Sequence, residues 1–254
     1  MKNAITISCA ALLFVGCGRP STETTTTEAT IAPVELPRIA EDWPGYYTAD
    51  LPYAVGQPME VSLWVRSDST FILRQRYAKD SLAEGLIGQW HVVYFPGGPA
   101  GGLMTIGYAG DKPDFYRYTD KGLVMVDEMG VIAEKKSEWT LEKLADEIGD
   151  AIPRMRLRGT FNYVADAQSF KPCGSNFTWP CAGGMDIGEE EVEPIVKFTN
   201  ADLQREYRNW VKTDGEPWVI EAVCTMGMGA AMEGDGADEY VYVEQVIRTL
   251  ERCP

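Results

Sequence analysis

The chain has 254 residues, a formal net charge of −15, 45% hydrophobic residues and six cysteines. That acidity excludes nucleic acid, which needs a basic face, and it disfavours anionic lipid headgroups. No repeat is present, and after the first residues no segment is long and apolar enough to cross a membrane as a helix.

The N-terminus reads as an export signal. Lys2 supplies the positive start, and Ile5 to Val15 has the length of a signal-peptide apolar region, too short to span a bilayer. Phe14-Val15-Gly16-Cys17 resembles the lipobox of bacterial lipoproteins, with Phe14 where Leu is usual. That resemblance implies cleavage before Cys17 and lipidation of its thiol. Acyl chains add about 0.8 kcal/mol per buried CH₂, so several on one cysteine anchor stably. By the same resemblance, Gly18 rather than Asp after the cysteine implies sorting to the outer membrane. Arg19 to Pro37 (RPSTETTTTEATIAPVELP) has too little hydrophobic mass to fold and reads as a flexible tether. The expected division is a signal at 1–16 and a lipidated cysteine with tether at 17–40. A β-barrel follows at 41–133, a linker helix at 134–153 and a second β domain at 154–254.

From Trp43 the pattern is short strands and turns. Val61, Leu63 and Val65 alternate with Ser62 and Trp64, and Phe71 to Tyr77 alternates again. Arg66-Ser67-Asp68-Ser69 between them reads as a hairpin turn. WHVVY (Trp90–Tyr94) is a strand, FPGGPAGG (Phe95–Gly102) a Gly/Pro turn. Further strands lie at Leu103–Ile106, Phe115–Tyr118 and Leu123–Val126. Closely spaced antiparallel strands of this kind predict a small barrel. Glu134 to Pro153 places Leu141, Leu144, Ile148 and Ile152 at helical spacing, with Ser137 as a cap and Pro153 as a stop, which predicts a helix.

Further on, Thr199 and Asp202 form a capping box opening a helix whose buried stripe is Leu203, Tyr207, Trp210 and Val211. Strands are expected at Trp218–Cys224 and Tyr240–Ile247, with Thr225–Asp238 as a long exposed loop. Cys173, Cys181, Cys224 and Cys253 belong to the folded part. In an oxidising compartment four thiols imply two disulfides, in any of three connectivities.

Cys224, Met226, Met228 and Met232 lie close together in CTMGMGAAMEGD (Cys224–Asp235). Soft sulfur selects Cu(I), so these residues are the candidates for a copper site; the alternative is a plain loop, and no other cofactor is suggested. The single histidine, His91, lacks partners for a zinc site or a triad. No nucleophile has a base beside it, so no enzyme is expected.

Gly45 to Pro52 (GYYTADLP), Asp68-Ser69-Thr70-Phe71, Gly88-Gln89-Trp90 and Leu123 to Asp127 resemble the N-terminal domain of the NlpE family of outer-membrane lipoproteins. Gly159, Phe161, Tyr163, Ala165-Asp166-Ala167, Phe170 and Cys173, then Asn200 to Tyr207, resemble its C-terminal domain. The resemblance implies a lipocalin-like barrel followed by an OB-like β domain carrying a helix. It also implies a bridge between Cys173 and Cys253, which leaves Cys181 with Cys224. The implied function is envelope sensing, reported to a membrane sensor kinase by protein contact. Where the best-known members carry C-x-x-C, this chain has Tyr53-Ala54-Val55-Gly56, so copper chemistry does not carry over to that position. Either barrel could also offer a small-ligand pocket.

Overall fold

The structure is a computed structural model that describes residues 42–52, 57–99, 101–107, 112–132, 135–145, 151–184, 198–231 and 234–254. The signal, Cys17, the tether, Tyr53–Gly56 and Met232 lie outside these residues.

The first lobe is an antiparallel sheet. Its strands are β1 (Gly45–Pro52), β2 (Pro58–Val65), β3 (Thr70–Tyr77), β4 (Ala83–Gln89), β5 (His91–Val93), β6 (Leu103–Ile106), β7 (Asp114–Thr119), β8 (Gly122–Val126) and β9 (Thr140–Ala145). Their spatial order is β4-β3-β2-β1-β9-β8-β7-β6-β5. The sheet rolls into a barrel around Trp43, Tyr47, Leu63, Phe71, Met104, Tyr116 and Leu141, all buried. Trp43 stacks between Trp90 and Tyr118 at centroid distances of 6.2 and 6.0 Å. Large side chains therefore fill the interior where a ligand pocket would have to lie.

The helix expected over 134–153 is not formed. Lys136–Trp139 is one 3-10 turn, and Thr140–Ala145 is β9. The sheet needs a strand between β1 and β8, and β9 fills that slot by pairing Tyr47 with Lys143 and Leu123 with Leu141. In a strand, residues three apart face opposite sides. Leu141 is accordingly buried, while Leu144 is 60% exposed. Tertiary pairing overrides the local helical spacing.

The second lobe comprises β10 (Ala151–Val164), β11 (Ala167–Pro172), β12 (Trp179–Gly183), α1 (Asn200–Trp210), β13 (Trp218–Ala230) and β14 (Ala237–Thr249). Strand β10 pairs with both β11 and β13, β14 pairs with β13 and β12, and β12 pairs with β11. This closes a ring, β10-β11-β12-β14-β13, with only the β12–β14 pair parallel. A five-stranded ring of this order with a helix between its third and fourth strands is the OB topology. Gly159 permits the sharing of β10, since a Cβ there would fall 2.4 Å from the Phe170 ring. Pro153 stands at the bulge of β10 between Ile152 and Met155, a place where a strand tolerates proline. Helix α1 carries the expected capping box on Thr199 and Asp202 and buries Leu203 and Tyr207. Trp210, expected in the buried stripe, is 59% exposed and lines a surface cleft beside Ile247. The last turn has already passed the barrel end.

The lobes meet along β4 and β10, paired in parallel through Met155–Ala83 and Arg156–Glu84. Trp64, Ile72, Ala83 and Ile87 lie on the outer side of the first lobe's sheet. They share one buried cluster with Met155, Leu157 and the second lobe's interior. Strands β2 to β4 are thus covered on both faces, one by the first lobe's own core and the other by its neighbour.

Candidate functional site: the disulfide end of the second lobe

Strand β11 ends at Pro172, and the chain turns at Cys173-Gly174, where Gly174 takes φ +79°. The Cys173 N–H donates to the Arg158 carbonyl on β10 at 2.9 Å. Strand β14 ends at Thr249, and the Leu250 N–H donates to the Val219 carbonyl at 2.8 Å, turning the tail toward the same place. There Cys173 and Cys253 form a disulfide, with Cα atoms 5.4 Å apart and a sequence separation of 80. Closing a loop that long stabilises the fold by about 4–5 kcal/mol in the chain-entropy model.

Cys181 and Cys224, expected to form a second bridge, are free thiols, both buried. Cys181 pairs with Val241 and Cys224 with Val243, so β14 lies between them. Strands two apart stand about 9–10 Å from each other along a sheet, beyond the roughly 7 Å Cα separation that a disulfide can span. Both side chains enter the apolar interior, and burial pushes both thiols well above their ordinary range. The neighbouring Cys181 and Glu244 add to that shift at Cys224.

From Cys224 to Ala230 the sulfur-rich stretch is strand, not loop. Strand β13 runs on to Ala230 and β14 begins at Ala237, because each residue from Cys224 to Ala230 finds a partner in β14. At period 2, Cys224, Met226 and Met228 share one face of β13, but β10 accompanies β13 only as far as Gly227: Cys224 and Met226 are in the core, and Met228, beyond that pairing, is 49% exposed. Met155, opposite Cys224 on β10, joins the buried group. A cysteine binds metal as its thiolate, and the packing at Cys224 disfavours that form. His91 lies exposed on the short strand β5.

Sequence reasoning missed the main polar feature beside the bridge. Glu221 on β13 is only 3% exposed. Arg158 Nε and Arg248 Nη2 each donate to its Oε2 at 2.9 Å, and Arg156 Nε stands 3.8 Å from its Oε1. Burial raises the carboxyl's pKa, but the hydrogen bonds from Arg248 and Arg158 outweigh burial and hold it below the ordinary value. Arg156 also pairs with Glu84 of the first lobe at 2.8 Å. The signals were present: an acid inside the apolar strand WVIEAVC, and arginines at every second position in RMRLR (Arg154–Arg158).

A second polar group crosses between the lobes. The Arg66 guanidinium forks onto the Glu239 carboxylate, one contact at 2.6 Å and one shorter, with side-chain exposures of 16% and 22%. Trp179 Nε1 donates to the same carboxylate at 2.9 Å. Asn176 Nδ2 donates to Gln89 Oε1 at 3.2 Å. Thus the segment from the bridge to β12 touches the first lobe through Asn176, and the Glu239 carboxylate of β14 that holds Trp179 is also the one that Arg66 reaches.

These features define a two-lobed β protein: a small barrel joined edge to edge to a disulfide-closed OB-type barrel with a helix. Residues 151–253 match the family model of the NlpE C-terminal OB domain. Lipoprotein NlpE of Escherichia coli strain K12 is 27% identical over 193 residues, covering 74% of this chain and 75% of that protein. That span exceeds the second lobe, so the likeness runs into the first, and the chain is NlpE-like. Among solved structures, the crystal structure of the Cpx pathway activator NlpE from Escherichia coli aligns at 20% identity. It covers 80% of this chain and 93% of that chain, with a TM-score of 0.31. The crystal structure of a lipoprotein from Shewanella oneidensis aligns at 24% identity over 40% of this chain and 89% of that one, with a TM-score of 0.33.

Proposed function

We propose that this protein is an envelope-stress lipoprotein. It is exported, anchored through Cys17 to the periplasmic side of the outer membrane, and signals to a membrane sensor kinase by direct protein contact. The observation that carries this reading is the sequence likeness to NlpE of Escherichia coli, a Cpx pathway activator. The Cys173–Cys253 bridge is the responsive element on this reading. It joins two chain segments far apart in sequence, and the oxidising state of the compartment maintains it.

The test is a stress-pathway reporter in cells that express the protein with Cys17→Ser, Cys173→Ala, or neither. The reading requires that Cys17→Ser change both location and signal, and that Cys173→Ala raise the signal. A reporter indifferent to both substitutions rejects it.

A further inference from the structure

We infer that the cleft between helix α1 and the end of strand β14 is a docking site for extended polypeptide that carries a large apolar side chain and, two residues away, a lysine or arginine. Such binding is independent of any signalling role.

The cleft lies where a strand partner runs out. Strand β12 pairs with β14 only from Val241 to Val243, and the Gly184 N–H adds a last link to the Val243 carbonyl at 2.9 Å. Beyond Val243, β13 is the only strand that pairs with β14 among the described residues. There Phe198, Glu206 and Trp210 line a cleft of about 220 Å³ together with Val246, Ile247 and Arg248. That volume is below the roughly 300–1,000 Å³ of sites for cofactors and drug-sized ligands. It suits one large side chain of a longer ligand.

The two exposed apolar residues of the cleft are held in place. Trp210 is 59% exposed, the one tryptophan so exposed among the described residues. It is nevertheless not on a frayed end. The following Val211 N–H donates to the Tyr207 carbonyl at 2.8 Å, and Val211 packs on the second lobe's core. Ile247, 39% exposed, is an inserted residue. Glu221 pairs with Arg248 and Ala222 with Val246, which leaves Ile247 opposite no residue of β13. A bulge of this kind re-aims a side chain. Its neighbours fix it, since Val246 packs on the core and Arg248 donates to Glu221. A preset tryptophan beside an aliphatic wall has the character of an interface anchor.

Charge and spacing select the ligand. Arg248 is already engaged by buried Glu221, whereas Glu206 has no ion pair among the described residues. The net charge of −15 attracts cations and opposes both anionic surfaces and a second copy of the chain. Glu206 and Trp210 are four apart on α1, so they are neighbours on its surface, with Cβ atoms roughly 5–6 Å apart. Extended polypeptide matches that spacing, because its residues two apart project from one face about 6–7 Å from each other. An apolar side chain against Trp210 and Ile247 therefore brings a cation two residues away to Glu206.

The test titrates the purified chain from residue 17 on, carrying Cys17→Ser, with acetyl-Lys-Ser-Phe-Ser-Lys-amide, and follows the Trp210 indole and Ile247 amide signals by NMR. Both should move, with an affinity near millimolar, because one buried side chain offsets only part of the cost of association. Signals from β2 and β3 should stay still. Serine in place of the peptide's phenylalanine, or Trp210→Ala in the protein, should weaken binding about tenfold, and Trp210→Phe should restore most of it. Glu206→Gln should weaken it about twofold to fivefold, as for an exposed ion pair. These substitutions alter surface side chains and leave the core untouched. Cleft signals that do not respond to the peptide overturn the inference. So does equal affinity for the peptide with glutamates in place of its lysines, and so does full binding by Trp210→Ala. Cleft signals that change with protein concentration alone, or with phosphatidylglycerol vesicles and not with the peptide, assign the cleft to a second copy or to a lipid surface and overturn it equally.

Discussion

The two lobes close their sheets by different means. The second closes on itself: every strand from β10 to β14 has two neighbours in the ring, a helix covers it, and a covalent bridge ties its last residues to β11. The first leaves β4 and β5 as the two ends of its sheet, and β4 is finished by borrowing two residue pairs from β10. An unpaired strand edge is an aggregation hazard that folds must cover. The first lobe therefore depends on the second for its cover, whereas the ring of the second is complete without the first. The apolar outer residues Trp64, Ile72 and Ile87 carry the same asymmetry, because their burial comes from the seam.

The largest expected effect breaks the ring at its covalent joint. Cys173→Ser with Cys253→Ser should lower stability by about 4–5 kcal/mol, read as a shift of the urea midpoint. Asymmetric dependence predicts that fluorescence from Trp64 at the seam is lost together with the second lobe, never after it. Next comes the buried carboxylate. Glu221→Ala leaves three guanidiniums facing an apolar strand and should cost about 2–3 kcal/mol, the low side for breaking a buried pair because the arginines still reach water. The same group gives a pH dependence. Its folded pKa is held below the ordinary carboxylate value. Its contribution is therefore fully present above the unfolded value of about 4.3 and is lost as pH falls through the lower folded value. Glu221→Gln should flatten acid unfolding over that interval and leave neutral-pH curves parallel. Gly159→Ala drives a methyl into the Phe170 ring and should cost about 1–3 kcal/mol, acting on the ring of β10–β14 first.

The free thiols sharpen the same contrast between a sealed interior and an accessible end. Cys181 and Cys224 should resist iodoacetamide in the native chain and react in concentrated urea, while Cys173 and Cys253 label only after reduction. Labelling of Cys224 under native conditions would mean that the interior opens and would restore it as a candidate metal ligand.

Much of this was legible in the residues, and the failures share one cause. Alternation placed β2 and β3, short apolar runs between turns placed β6, β7 and β8, and the Thr199–Asp202 pair placed the start of α1. These signals are local and period-specific. The errors came where a partner distant in sequence decides. Leu141 and Leu144 fit a helix until β1 and β8 claim the segment. Met226 and Met228 look like loop sulfur until β14 supplies a register for both. Cys181 and Cys224 look like a pair by elimination, and only the position of β14 between them shows otherwise. The bridge and the OB topology were reached by resemblance, since cysteine count alone left three pairings open. Glu221 and the Arg66–Glu239 clamp were invisible for the same reason. Charge pairs across strands or across lobes have no sequence period, although RMRLR facing an acid in an apolar strand was a usable hint.

The smallest expected effect concerns the helix, an element the first lobe has no counterpart for among its described residues. Thr199 accepts the Asp202 N–H at 3.2 Å, and the Asp202 carboxylate accepts the Thr199 N–H at 2.9 Å. Removing the hydroxyl with Thr199→Ala should cost about 1 kcal/mol. Hydrogen bonds from Thr199 and Arg205 hold the Asp202 carboxyl at about 2. Its part of the cap is therefore complete above the ordinary aspartate value of about 3.9 and disappears as pH falls toward 2. Helix α1 presses Leu203 and Tyr207 into the ring, and Tyr207 OH donates to the Glu216 carbonyl at 2.7 Å. Fraying of its first turn should loosen the loop that leads into β13 and leave the seam intact. Amide exchange near Thr199 and Glu216 should rise in Thr199→Ala, while β4 stays unchanged. A rise in β4 would show that the helix supports the seam, and the dependence of the first lobe on the second would then extend beyond β10.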